Sequence, residues 1–151
     1  MVHALEEIRR LLKPTGILID IHPVAESSPI EIHQGGKIDL AGDLSVRQWC
    51  TDYEQADMAL SEITQRGLLA VERESVFDSL THYDSVEELR TGLKESIDKF
   101  ARDAQSADEA VPHAEALAAR AEELIQAAVS GAELIVRERV HISRLKPRFP
   151  T

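Results

Sequence analysis

The segment Asp20-Ile-His22-Pro23 places a carboxylate and an imidazole two residues apart at the carboxyl end of an apolar run. In a β-strand, residues two apart point to the same face, so Asp20 and His22 can form a carboxylate–imidazole pair suited to general acid–base chemistry. Ligands of open α/β sheets bind outside the carboxyl ends of the strands. Asp20 and His22 are therefore the candidate catalytic residues. The alternative is that both side chains only satisfy a loop.

The six histidines give a weaker indication of a site. They are His3, His22, His33, His82, His113 and His141. Three of them, His22, His82 and His141, are predicted on strands or at strand ends, where several can converge. Because no His-x-x-x-His or Glu-x-x-His unit falls on a predicted helix, we expect scattered surface histidines and no metal site.

Two further features have competing interpretations. Cys50 is the sole cysteine, so an internal disulfide and a Cys-rich zinc site are excluded. We expect it to be a small buried apolar residue and not a nucleophile. The C-terminal region carries a basic set that could receive an anion or an acidic partner: Arg137, Arg139, His141, Arg144, Lys146 and Arg148. We favour cross-strand pairing of this set with Glu72 and Glu74.

Composition and charge exclude several classes of protein. The chain has 151 residues, and 17 basic against 27 acidic side chains give a net charge of −10, which disfavours nucleic-acid binding. The longest apolar run, Gly16–Ile21, is too short to span a membrane. The N-terminal residues begin directly in a helical pattern and do not form a signal peptide. We therefore expect a cytoplasmic protein with no nucleic-acid or membrane partner.

Hydrophobic spacing predicts the element order α β (ββ) α β α α β, an α/β arrangement. A helix is predicted to end at Lys13-Pro14-Thr15-Gly16. The strand Gly16–Ile21 that follows is predicted to be covered on both faces, as in a parallel sheet. The strands 29–33 and 37–40 flank Gln34-Gly35-Gly36 as a hairpin. The remaining predicted elements are a helix at 53–66 capped by Asp52, a strand at 68–82, helices starting at the capping box Ser85–Glu88 and at Pro112, and a strand at 132–145. In that last strand, Leu134, Val136, Val140 and Ile142 form the predicted apolar face.

The segment from Ala4 to Ile21, with its Leu-Lys-Pro-x-Gly turn, resembles a late segment of class I S-adenosylmethionine-dependent methyltransferases. There a helix and a similar turn lead into the fifth strand of the sheet, and Thr15 stands where the family usually has its first glycine. The resemblance implies a partial Rossmann-like half-sheet of 4–82 and 132–145 within one domain of 1–151. The last strand would run antiparallel between the fifth and sixth strands, and 85–130 would be a two-helix insertion.

The same resemblance implies that the cofactor-binding half of the family is missing. The family binds its cofactor through a glycine-rich loop after the first strand and an acidic residue ending the second. Here the pair Gly35-Gly36 is predicted in a hairpin, so none of the family's cofactor-binding residues is assigned to a position in this sequence. We expect no cofactor for the isolated chain, and S-adenosylmethionine only if a partner chain completes the site.

These expectations leave several functions open. We favour a non-catalytic half-domain that forms a homodimer through the exposed edge strand Gly16–Ile21, because an unpaired apolar edge must be covered. The alternatives are the substrate-side subunit of a split methyltransferase and a truncated product of a longer methyltransferase. A further alternative is a small-molecule binding or regulatory module in which the inserted helices cover a pocket. The methyl acceptor cannot be read from the residues.

Overall fold

The computed structural model describes residues 1–44, 47–100 and 104–149, with the side chains of 47–50, 100 and 104–107 excepted. The described chain contains four helices and five strands. The helices are α1 (Val2–Leu11), α2 (Arg47–Gln65), α3 (Val86–Phe100) and α4 (Ala104–Ala127), and the strands are β1 (Leu18–Pro23), β2 (Ser28–Gln34), β3 (Lys37–Leu44), β4 (Leu69–Tyr83) and β5 (Glu133–Pro147). The predicted element order is confirmed. No helix in this part of the chain is long and apolar enough to cross a membrane.

The five strands form an open antiparallel sheet, so the mixed α/β class is confirmed. The order is β1-β5-β2-β3, and β4 also pairs with β5. The long strand β5 is shared: its first residues pair with β2, and its residues from Val140 to Leu145 pair with β1. Its antiparallel direction agrees with the prediction for the last strand.

Contacts divide the chain into two compact units. The first unit holds Met1–Ala25, Thr51–Asp78 and the described residues from Arg139 onward. The second unit holds Glu26–Cys50 and Ser79–Glu138, as far as these are described. The second unit therefore joins the hairpin to the helical segment that the resemblance treats as an insertion.

The core of the first unit lies on one face of its strands. Ile63, Leu69 and Leu145 are buried there, and α1 and α2 contribute partly buried apolar side chains to the same cluster. Since side chains alternate along a strand, Ile19 and Ile21 point to the opposite face, where they are 45% and 59% exposed. The prediction that this strand is covered on both faces is wrong, because both helices lie on one face.

The core of the second unit forms between the hairpin and the helices α3 and α4. Ile30 and Ile32 of β2 are fully buried against Leu89, Leu93 and other apolar residues of the two helices. The hairpin prediction is confirmed: Gly35 and Gly36 form its two-residue turn with φ of +55° and +81°. Both angles lie in the region that a type I′ turn requires and that glycine adopts readily.

Helix boundaries show where local signals are overridden. The capping box is confirmed, with the Glu88 backbone N–H donating to Ser85 Oγ at 3.1 Å. The cap predicted at Asp52 is wrong, because α2 begins earlier, at Arg47. Pro112 does not begin a helix either but lies inside α4. Proline removes only one backbone hydrogen-bond donor from the helix. In the turns after Pro112, the side chains of Ala114, Leu117 and Ala121 are still buried in the core.

Candidate functional site

The helix-covered face of β1 carries Asp20 and His22, and the register of β5 brings two more polar residues opposite them. Asp20 pairs with Ser143, and His22 pairs with His141, in consecutive same-face positions. Leu18 and Leu145 form the next pair along the same face and belong to the apolar core of the first unit. The polar group therefore lies at the end of that core, under α2.

His22 is hydrogen-bonded through both ring nitrogens. Nδ1 lies 2.6 Å from Oδ2 of Asp20, and Nε2 lies 2.9 Å from Oδ1 of Asp57 on α2. A neutral imidazole has one donor only, so two carboxylate partners favour the doubly protonated cation. Burial opposes the charged form, but the hydrogen bonds to Asp57 and Asp20 outweigh it and raise the pKa of His22. With 10% of its side chain exposed, His22 is largely enclosed, and its two carboxylate partners fix the orientation of the ring.

His141 and Ser143 are left with unpaired polar atoms. The His22 and His141 rings meet edge to face, with centroids 5.3 Å apart. Nε2 of His141 lies 3.7 Å from a carboxylate oxygen of Glu74, whereas its Nδ1 is buried and has no hydrogen-bond partner among the described residues. The Ser143 hydroxyl is also buried and unpartnered, in a residue that is 2% exposed. Asp20, His22 and His141 each offer a ligand atom, and these atoms lie within 4.8 Å of one another.

The structure brings the two predicted candidates together, and their chemical role stays a prediction. His141 joins them, but His82 is an exposed residue of the second unit. Cys50 lies outside the residues whose side chains are described. Sequence reasoning missed Asp57 and Ser143. A signal existed for Asp57, since it lies three residues before the apolar Leu60, which packs on the core of the first unit, and residues three apart share a helix face.

Three members of the basic set pair with Glu72 and Glu74 in the first unit, as predicted, whereas Arg137 pairs with Glu31 in the second unit. Arg144 lies 3.1 Å from Glu72, Lys146 also contacts Glu72, and His141 approaches Glu74. The predicted faces of β5 need a correction here. Leu134 and Val140 of the predicted apolar face are buried, but Ser143 and Leu145, outside that face, are buried as well, because α1 and α2 pack on their side.

The second unit contains another carboxylate–imidazole pair, which makes a useful comparison. Nε2 of His33 lies 2.8 Å from Glu31, and the Arg137 guanidinium donates to the same carboxylate at 3.0 Å. Burial acts against the ionised form of Glu31, but the hydrogen bonds from His33 and Arg137 outweigh it and lower the pKa of that carboxyl. This carboxylate is neutralised by a guanidinium, as in a structural ion pair.

The free edge of β1 is the second notable feature of the first unit. β1 stands at the end of the strand order, and β5 is its pairing partner among the described strands. The same strand exposes Ile19 and Ile21 on the face away from the helices. An unpaired strand edge beside exposed isoleucines is a surface that can accept another strand.

Comparisons of the chain with protein families, with curated proteins and with solved structures found no match. Two surfaces of β1 are therefore the candidate functional features of the chain. On its covered face, β1 presents Asp20 and His22 to His141. On its open side, it presents a free edge with Ile19 and Ile21.

Proposed function

We propose that this chain is a homodimeric interaction protein built on a methyltransferase-like half-sheet and not catalytic on its own. The observation that carries the proposal is the edge position of β1 together with the exposure of Ile19 and Ile21. In a dimer, the β1 strands of two copies pair antiparallel across a two-fold axis and join their sheets. This arrangement uses the same surface twice and leaves the Asp20–His22 face to each protomer.

The family origin within this proposal is supported by connectivity. A helix, the Lys13–Gly16 turn and β1 follow one another in the order implied by the resemblance. The later strand β5 is the shared neighbour of β1 and β4, as the last strand of such a half-sheet would be. The glycines Gly35 and Gly36, which could cradle a phosphate at a strand-to-helix junction, lie instead in the β2–β3 hairpin turn. This supports a role in binding without cofactor chemistry.

Edge exposure gives the physical reason for self-association. A strand edge carries unpaired N–H and C=O groups, and natural sheets protect such edges with charge, proline or a covering element. The edge segment Ile17–Ile21 instead alternates three exposed isoleucines with Leu18 and Asp20. Pairing two copies satisfies the backbone groups and buries the isoleucines in one step.

Light scattering coupled to size exclusion, at tens of micromolar chain, tests the dimer. We expect the mass of two chains, and a shift to one chain in Ile21→Lys, since a lysine on each copy places like charges at the new strand pair. Ile38→Lys is the matched control because Ile38 is 58% exposed on β3, the other end of the strand order. A monomeric parent, or a dimer that Ile38→Lys disrupts and Ile21→Lys leaves intact, would overturn the proposal.

Calorimetric titration tests the non-catalytic part. We expect no binding heat when the purified chain is titrated with S-adenosylmethionine or S-adenosylhomocysteine. One-site binding by the parent chain would refute this part of the proposal and indicate a cofactor pocket assembled within the chain or across the dimer. If that binding disappears in Ile21→Lys together with the dimer, the pocket is formed by two copies.

A further inference from the structure

We propose that Asp20, His22 and His141 form a binding site for a divalent transition-metal ion such as Zn²⁺. The three side chains come from neighbouring strands of the first unit, with His22 and His141 directly opposite each other in the β1–β5 register. The site lies on the covered face of β1, so this inference does not depend on the proposed dimer.

The donor set fits the chemistry of such an ion. Two imidazoles and one carboxylate are ligands that Zn²⁺ and its first-row neighbours accept, whereas Mg²⁺ and Ca²⁺ prefer oxygen alone. One atom from each residue already lies within 4.8 Å of the others. Ligand bonds of about 2.1 Å in a tetrahedral site place donors roughly 3.4 Å apart, so side-chain rotation closes the site. The strands hold the three backbones in place while this occurs.

Two buried atoms give independent support for a ligand. Nδ1 of His141 and Oγ of Ser143 are buried and have no hydrogen-bond partner among the described residues. Buried polar groups in native proteins nearly always have a partner, and an ion held by Asp20, His22 and His141 would supply one beside these two atoms. A metal ion bound by His141 satisfies the first atom. The Ser143 hydroxyl, opposite Asp20, is placed to bind the ion or a water molecule on it.

The surroundings of His22 match those of a metal-binding histidine. Such residues usually donate a hydrogen bond from their second ring N–H, often to a carboxylate, which fixes the ring and strengthens the metal bond. Asp57 occupies that position 2.9 Å from Nε2, which leaves Nδ1 to exchange its proton for the ion beside Asp20. Three protein ligands leave one coordination position open to water or a substrate atom, as in catalytic and not structural zinc sites.

Titration of the chelator-treated full chain with ZnCl₂ tests the site, with Co²⁺ absorption as a spectroscopic reporter of coordination. We expect one equivalent of ion per chain. His141→Ala and Asp20→Asn should each weaken binding by at least about 100-fold, and Asp57→Asn by about 10- to 100-fold. His82→Ala is the matched control, because it removes an exposed imidazole outside the site and should leave the affinity unchanged.

Asp20→Asn keeps the shape of the side chain and guards against loss of the fold, which circular dichroism checks for every variant. A second readout is the thermal midpoint of the parent, which zinc should raise and which Asp20→Asn should make insensitive to zinc. Absence of binding, binding that survives Asp20→Asn and His141→Ala, or an equal loss in His82→Ala would overturn the proposal. Repeating the titration on Ile21→Lys separates the two proposals, since the metal site should persist in a monomer.

Discussion

His22 on β1 and His141 on β5 face each other across an antiparallel strand pair, with ring centroids 5.3 Å apart and ring planes at 68°. The two rings have unequal surroundings. His22 has a carboxylate at each nitrogen, whereas His141 has one buried nitrogen without a partner. The carboxylates around His22 therefore determine two measurable properties, the pH dependence of stability and the response of the His22 pKa to Asp57→Asn.

The pH dependence of the free energy of unfolding tests the raised pKa of His22. Its pKa is raised in the folded protein, so its stabilising effect is complete below the unfolded value of about 6.5 and is lost as pH rises through the folded pKa. Urea denaturation at a series of pH values should show the free energy of unfolding falling above pH of about 6.5. His22→Gln should remove this slope. A slope that persists unchanged in His22→Gln would assign it to another group.

Asp57→Asn tests which partner holds the His22 cation. The amide cannot stabilise a positive charge as a carboxylate does, so the pKa of His22 should fall when followed by NMR of the ring protons. Glu54→Gln on an exposed position of α2 is the control, and it should leave that pKa near the parent value. An equal fall in both variants would indicate a general effect of charge on the helix.

Ser143→Ala concerns a buried hydroxyl that has no partner in the structure. Removing it relieves an unsatisfied polar group, so the metal-free chain should be stabilised by about 1 kcal/mol in urea denaturation. Ser75→Ala on β4 changes an exposed serine and should stay within roughly 0.5 kcal/mol of the parent. Destabilisation by Ser143→Ala would mean that the hydroxyl makes a bond in solution.

The substitution Glu31→Gln tests the ion pair between Glu31 and Arg137 in the second unit. The residue is 4% exposed and accepts hydrogen bonds from Arg137 and His33, so Glu31→Gln should cost about 2 kcal/mol of unfolding free energy. Because its pKa is lowered, its contribution is present above pH of about 4.3 and is lost as pH falls through the folded pKa. Glu133→Gln, at an exposed position of β5, should have little effect. Equal losses in both variants would contradict this assignment.

Gly42 tests the packing of β3 on α4. Its φ of +148° is unfavourable for other residues, and an added Cβ would lie 2.5 Å from Cδ2 of Leu117. Gly42→Ala should therefore cost about 3 kcal/mol, from strain and overpacking together. Gly35→Ala is the control, since Gly35 also has positive φ but has open space around it and should cost about 1 kcal/mol. Similar costs would show that Leu117 moves aside freely.

Much of the fold was predictable because its signals are local. Alternation across Gly35-Gly36 indicated the hairpin, and Ser85–Glu88 indicated the start of α3. A helix start was mispredicted where core packing outweighed a local signal, as at Pro112, which lies inside α4. Burial of Ser143 and Leu145 on β5 was missed because periodicity gives the two faces of a strand without showing which one the helices cover.

The sequence by itself determined that Asp20 and His22 share a face, since alternation along a strand depends on spacing alone. Only the tertiary structure decided that His141 and Ser143 complete that face, because strand register joins residues about 120 positions apart. The same holds for Asp57, whose distance from His22 depends on how α2 packs over β1. Metal-binding spacings on helices cannot indicate this group of side chains, because strand pairing brings His141 to Asp20 and His22 without a short-range pattern in the chain.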